Sequence, residues 1–164
     1  MEIPYKVHRG FLKCWKYVED IIISKITELK EDSDQYRWEK IIIVGYSHGG
    51  ALCVLCTECV WFYRADLRKD GFKAYAFEAP RVFGAFKVPK ELQERWDNLE
   101  VYRTGTDLVT HCPPCIFGYC HVGHLIKIDG DPSLVQNNKP KCIKYHYPAV
   151  VRDALIRYEQ LMEE

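Results

Sequence analysis

The segment "KIIIVGYSHGGALCVLC", residues 40–56, restricts the fold more than any other stretch of the chain. Ile41, Ile42, Ile43 and Val44 are β-branched residues in succession, with no polar alternation. Such a run suits a strand covered on both faces, as in a parallel sheet. After Gly45-Tyr46-Ser47-His48-Gly49 comes a helix over about 48–64, apolar on most sides through Ala51, Leu52, Leu55, Val60 and Phe62. A helix apolar nearly all round is itself buried. Ile41 to Thr57 is a long stretch without a formal charge. It is slightly short for a bilayer span, and "GYSHGG" interrupts it. The segment reads as strand, sharp turn and buried helix.

The flanking sequence extends this into an α/β domain. Phe11, Trp15, Val18, Ile22, Ile26 and Leu29 recur at steps of three and four, which predicts one amphipathic helix over roughly 11–30. "KEDSDQYRW" follows as a polar connector. "FKAYAFEAP" reads as a second strand stopped by Pro80, "PKELQERW" as a short surface helix, "LEVYRTG" as a third strand and "HLIKI" as a fourth. Tyr147, Val150, Val151, Ala154, Leu155, Tyr158, Leu161 and Met162 form one apolar face of a closing helix, with Pro148 in its first turn. Helices alternating with apolar strands imply a mainly parallel sheet. Ligands of such sheets bind beyond the carboxyl ends of the strands. With 164 residues and no repeat or linker, the whole chain, 1–164, is expected to form one domain. Acidic and basic residues balance at 23 each, so no basic surface for nucleic acid is indicated.

Gly45-Tyr46-Ser47-His48-Gly49 fits G-x-S-x-G in the strand-to-helix setting where that motif has a mechanism. The turn must hold the hydroxyl clear of the backbone, and side chains at 45 or 49 are expected to collide with the neighbouring strand or helix. Gly50 adds room for the helix to lie close to the sheet. The backbone N–H of His48, at a helix N-terminus, can donate to an oxyanion above Ser47. The alternative is a plain glycine turn with a capping serine. A serine nucleophile needs a base, and the base needs an acid to orient it. Asp107 follows the third strand by two residues and His146 immediately precedes the last helix, both where loops gather at strand carboxyl ends. His121 is the one rival to His146, and spacing favours His146. Asp66 and Asp70 read as solvent-facing, Asp129 and Asp131 as turn formers, and His8, His111 and His124 as structural or exposed. The side chain of His48 should point away from Ser47.

Eight cysteines are many for this length. "MEIPYKVHRG" has no apolar core of a signal peptide, so the reading favours a cytoplasmic location and reduced, mostly buried thiols. "HCPPCIFGYCHVGH" gathers His111, Cys112, Cys115, Cys120, His121 and His124 into one crowded run. Zinc sites usually have two separated ligand pairs. The thiols are therefore expected to pack beneath a loop, a Cys/His zinc module being the lesser alternative.

In order along the chain, "VHRGF" resembles H-x-G-F and "IIIVGYSHGGAL" a strand–elbow–helix usually written G-H-S-L-G-G-A. "FEAPRVFG" resembles F-G-x-P-R-V-G, and "TGTDLVTHCPP" resembles N-x-x-D-x-V-P-x-L-P-P. "FGYCHVG" resembles an H-x-G element, and "YHYPAVV" an H-x-x-Y-type region. This ordered set, over about residues 7–155, resembles the class 3 lipases, the family of fungal-type triacylglycerol lipases. The resemblance implies an α/β-hydrolase fold with Ser47, Asp107 and His146 as a triad and His48 supplying an oxyanion-hole N–H. It makes His121 part of the non-catalytic H-x-G element. It implies hydrolysis of carboxylic esters of lipids or smaller alcohols without metal or other cofactor, with no integral membrane segment and room for transient contact with a lipid interface. Tyr46 stands where the family usually has histidine and His48 where it usually has leucine. In the family the second oxyanion donor and the lid lie upstream of the H-x-G-F region, and only seven residues precede His8 here. The expectation is therefore a fold lacking the usual N-terminal strands and lid, and an open site that favours short or medium acyl chains. A lipase-like binding domain without the chemistry is the alternative.

Overall fold

The apolar run before the elbow and the segment after it do fold as a strand and a buried helix. The computed structural model describes residues 6–31, 40–84 and 88–163. The elements run β1 (Lys6–Val7), α1 (Arg9–Lys16), α2 (Glu19–Glu31), β2 (Ile41–Tyr46), α3 (His48–Tyr63), β3 (Phe72–Phe77), β4 (Phe83–Gly84), α4 (Lys90–Gln93), β5 (Leu99–Thr104), β6 (Tyr119–Cys120), β7 (His124–Ile128), α5 (Lys141–Lys144) and α6 (Pro148–Glu163). From residue 32, the connector expected after the first helix lies outside the described residues.

Strands β2, β3, β5 and β7 form a parallel sheet in the order β2-β3-β5-β7. Gly45 pairs with Ala76, Ala76 with Val101, and Val101 with Leu125. All four carboxyl ends therefore face the same way. Helix α3 packs against β2 and β3 on one face, and α6 meets β5 and β7 on the other. The core between α3 and the sheet holds Leu55, Val60, Phe72, Leu99 and Val101, closed by Trp15 from α1 and by Trp96. Each such buried apolar side chain contributes roughly 1.5–3 kcal/mol. Among the described residues, no helix is long and apolar enough to cross a membrane.

Two readings are corrected, and one small sheet is added. The expected single helix over 11–30 is two helices broken at Tyr17–Val18, where Tyr17 N–H bonds to Cys14 O and Val18 N–H to Trp15 O. The second helix begins at Glu19, a residue 5% exposed that accepts from the Cys59 thiol at 3.3 Å and pairs with Lys16. Buried polar contacts thus override the continuous apolar period. Strand β2 is not covered on both faces: Ile42 and Val44 are 55% and 62% exposed. Among the described residues β2 pairs only with β3 and so forms an edge of the sheet. Finally, a three-stranded antiparallel sheet, β1-β4-β6, was not anticipated, because two-residue strands carry no readable alternation.

Candidate active site

Strand β2 ends at Tyr46, and the chain turns so sharply into α3 that Ser47 adopts φ 56°. A β-carbon at Gly45 would lie 2.1 Å from the carbonyl oxygen of Gly49, so glycine is obligatory there. The expectation for Gly49 fails, since a β-carbon at that position meets nothing within 4 Å. The close approach falls instead on Gly50, where a β-carbon would lie 2.8 Å from that of Ala79. The Ser47 N–H bonds to Phe77 O of β3, which fixes the elbow to the sheet. The His48 N–H lies in the first turn of α3, where helical geometry supplies no carbonyl partner. The His48 side chain is exposed and faces Phe11, ring centroids 5.5 Å apart.

Asp107 comes from the loop after β5 and His146 from the turn between α5 and α6. The Nε2 of His146 lies 2.8 Å from Ser47 Oγ, and its Nδ1 lies 2.7 Å from Asp107 Oδ2. Residues 99 positions apart thus meet at the carboxyl edge of the sheet. Asp107 is fully buried, and its Oδ1 also accepts from Val109 N–H at 3.0 Å. A carboxylate at Nδ1 leaves the proton on that nitrogen and makes Nε2 the acceptor for the serine hydroxyl. The His146 side chain remains 21% exposed, so the hydroxyl–imidazole pair opens to solvent.

Two residues of the site were not singled out from sequence as site residues. The Tyr46 hydroxyl donates to the backbone carbonyl of His146, and its ring stacks on the imidazole with centroids 5.4 Å apart and planes at 28°. Burial, then the charges of Glu78 and Asp107, push the Tyr46 hydroxyl up to about 12. Glu78 is fully buried at the end of β3, with φ 50°. Its Oε1 accepts from Thr104 N–H at 2.8 Å and Thr104 Oγ1 at 2.6 Å. Burial, and then the neighbouring Asp107 carboxyl, push its carboxyl up to about 8 against the opposing pull of Thr104. Among the described residues, Ser47 and Glu78 are the two non-glycine positions with positive φ. Such backbone costs about 1–3 kcal/mol and clusters at functional sites. The available sequence signal was "FEAPRV", with glutamate where the resembled pattern has glycine.

Three other histidines are engaged with backbone carbonyls. The His121 Nε2 donates to Thr110 O at 2.7 Å, and burial lowers His121 to about 4. The His111 Nδ1 bonds to Asp107 O, and the His124 Nε2 bonds to Asp97 O. Asp66 serves Arg64, and Asp131 caps the turn at Ser133. Cys112 and Cys115 are exposed, not packed beneath the loop, because the turn at Cys115–Phe117 faces outward. Among the described residues the one group of histidine, cysteine and acidic side chains with converging ligand atoms is Glu78, Asp107 and His146, not the Cys/His run.

The family described as Lipase (class 3) matches residues 2–117, most of the chain, including Ser47 and Asp107. The chain belongs to the class 3 lipase family. It is 32% identical over 128 residues to secreted mono- and diacylglycerol lipase 1 of Fusarium solani, covering 77% of this chain and 35% of that one. It is 29% identical over 136 residues to the lipase of Rhizomucor miehei, covering 80% and 35% respectively. The fold matches lipase II of Rhizopus niveus with a TM-score of 0.68 at 23% identity, over 93% of this chain and 58% of that one. For the Rhizomucor miehei triacylglyceride lipase the TM-score is 0.62 at 25% identity, over 77% and 46%. This class 3 lipase chain thus spans about a third of the length of the two relatives compared by sequence. His146 lies beyond the family match.

Proposed function

We propose that this chain hydrolyses carboxylic esters through an acyl-enzyme on Ser47. The observation that carries the reading is the hydrogen-bonded series Ser47 Oγ, His146 Nε2, His146 Nδ1, Asp107 Oδ2, with both links under 3 Å. His146 takes the hydroxyl proton as Ser47 Oγ attacks the ester carbonyl. The His48 N–H donates to the oxyanion as it forms. Collapse of the tetrahedral intermediate breaks the ester C–O bond, and His146 returns the proton to the departing alcohol. Water, deprotonated by the same imidazole, then frees the acid and restores Ser47. Asp107 holds the tautomer and faces the positive charge that grows on the imidazole.

The names of the relatives, a mono- and diacylglycerol lipase among them, point to acylglycerols as the substrate class. The finer reading is a preference for short or medium acyl esters, supported by the solvent exposure of His146. Turnover of p-nitrophenyl esters of increasing length tests both. Wild type should turn over the shorter esters fastest. Ser47→Ala should lose turnover and labelling by a serine-directed phosphonate, by a factor of about 10⁴ or more, and His146→Ala should lose turnover comparably. His121→Ala should retain activity. Labelling that persists in Ser47→Ala rules the reading out.

A further inference from the structure

We infer that Glu78 is a positioning residue whose protonated carboxyl donates a hydrogen bond to Asp107 and so keeps the Asp107 carboxylate aligned on His146. The inference rests on the Ser47–His146–Asp107 reading. Oxygens of Glu78 and Asp107 and a ring nitrogen of His146 lie within 4.8 Å of one another. Both carboxyl groups are fully buried. The Oε1 of Glu78 is committed to the two Thr104 donors, while among the described residues its buried Oε2 meets no N–H or hydroxyl donor. Two adjacent buried carboxylates repel, and a shared proton is the ordinary resolution. Asp107 uses its oxygens on His146 Nδ1 and Val109 N–H, and a carboxylate has lone pairs to spare for a third donor. The left-handed backbone at 78 is held although the side chain gains no solvent contact, which a role at Asp107 explains.

The groups that face Glu78 are Asp107 and His146, the Tyr46 hydroxyl at the end of β2, and Arg103 with Thr104 on β5. Arg103 feels both carboxyl charges, but among the described residues it forms no ion pair with either. The raised carboxyl, at about 8, accords with a proton kept at neutral pH. As pH climbs past that value the donor to Asp107 is lost and a second buried negative charge appears, so reactivity of Ser47 falls on the alkaline side. The sign for stability is the same: the unfolded group ionises near 4.5 and the folded one near 8, so the contribution of Glu78 is full below the first value and is lost as pH rises through the second.

The test compares wild type, Glu78→Gln and Glu78→Ala by the pH dependence of phosphonate labelling and by kcat and KM on a soluble ester. The amide of Glu78→Gln can donate to Asp107 but cannot titrate. It should stay within about threefold of wild type at neutral pH and lose the alkaline decline. Glu78→Ala should lower kcat about tenfold or more with KM unchanged, as expected for a lost hydrogen bond to a charged group. A Glu78→Gln profile that keeps the wild-type alkaline limb overturns the inference. An independent readout is the infrared spectrum of protein carrying 13C-labelled glutamate. Wild type near pH 6 should show a protonated-carboxyl stretch that is absent from Glu78→Gln and fades above about pH 9. Its absence from wild type also overturns the inference. The spectrum needs no turnover and can be taken on Ser47→Ala, so an unreactive serine would sink the esterase reading while the proton on Glu78 is decided separately.

Discussion

Tyr46 grips His146 at two points, by a hydroxyl on its carbonyl and a ring along its imidazole. With the hydroxyl pushed up to about 12, it keeps its proton at any pH where a histidine base operates. Tyr46→Phe removes the first contact and leaves the second. A neutral hydrogen bond contributes about 0.5–1.5 kcal/mol, so kcat on a soluble ester should fall about three- to tenfold with KM unchanged. Steady-state kinetics beside a melting curve check this, and an unchanged kcat would remove Tyr46 from the positioning of His146. Tyr46 was visible in the sequence only as a departure from the family elbow, and Glu78 only as a glutamate before "APRV". What they touch depends on segments 100 and 26 positions away closing at the sheet edge, which one sequence does not display.

At the scale of elements, the strands and helices that position Ser47 and Asp107 were legible because burial imposes a period on them. The break between α1 and α2 was not, because Glu19 sits on the polar side of a continuous pattern and its partner Cys59 lies 40 positions away. The loop after β5 shows the same limit. It is held from outside by Arg81, whose Nη1 donates to His111 O and Pro113 O, and from within by His121 on Thr110 O. His121 is enclosed as the neutral imidazole, lowered to about 4 chiefly by burial. The unfolded histidine binds its proton near 6.5, so the stability it contributes is full above that value and is lost as pH falls through about 4. The melting temperature should therefore drop by roughly 5 °C or more between those limits beyond what other groups cause. His121→Gln, which can still donate to Thr110 O, should flatten that limb. Parallel acid limbs in the two proteins would show that the loop is not pinned by a neutral histidine.

Over the whole molecule, charge and apolar exposure bear on how the proposed ester-hydrolysing site would meet a lipid. Acidic and basic residues balance at 23 each, so no net field draws the chain to an anionic surface. Apolar side chains stand out instead on the loop that carries Asp107: Leu108 is 49% exposed, Ile116 75% and Phe117 70%. This loop leaves the carboxyl end of β5, the same edge of the sheet from which Ser47 rises. Fully burying an aliphatic or aromatic side chain contributes about 1.5–3 kcal/mol, so partial insertion of two is enough to change occupancy of an interface by tenfold or more. Ile116→Ser with Phe117→Ser should therefore cut turnover of an emulsified ester about tenfold while leaving kcat on a soluble ester within about twofold. Adsorption of wild type to uncharged phosphatidylcholine vesicles should change little between about 0.05 and 0.5 M salt, because screening acts on charges and not on apolar contact. Equal losses on both substrates would mean that the double substitution damages the loop holding Asp107, and adsorption that collapses with salt would mean that a charged patch, not these two side chains, meets the lipid.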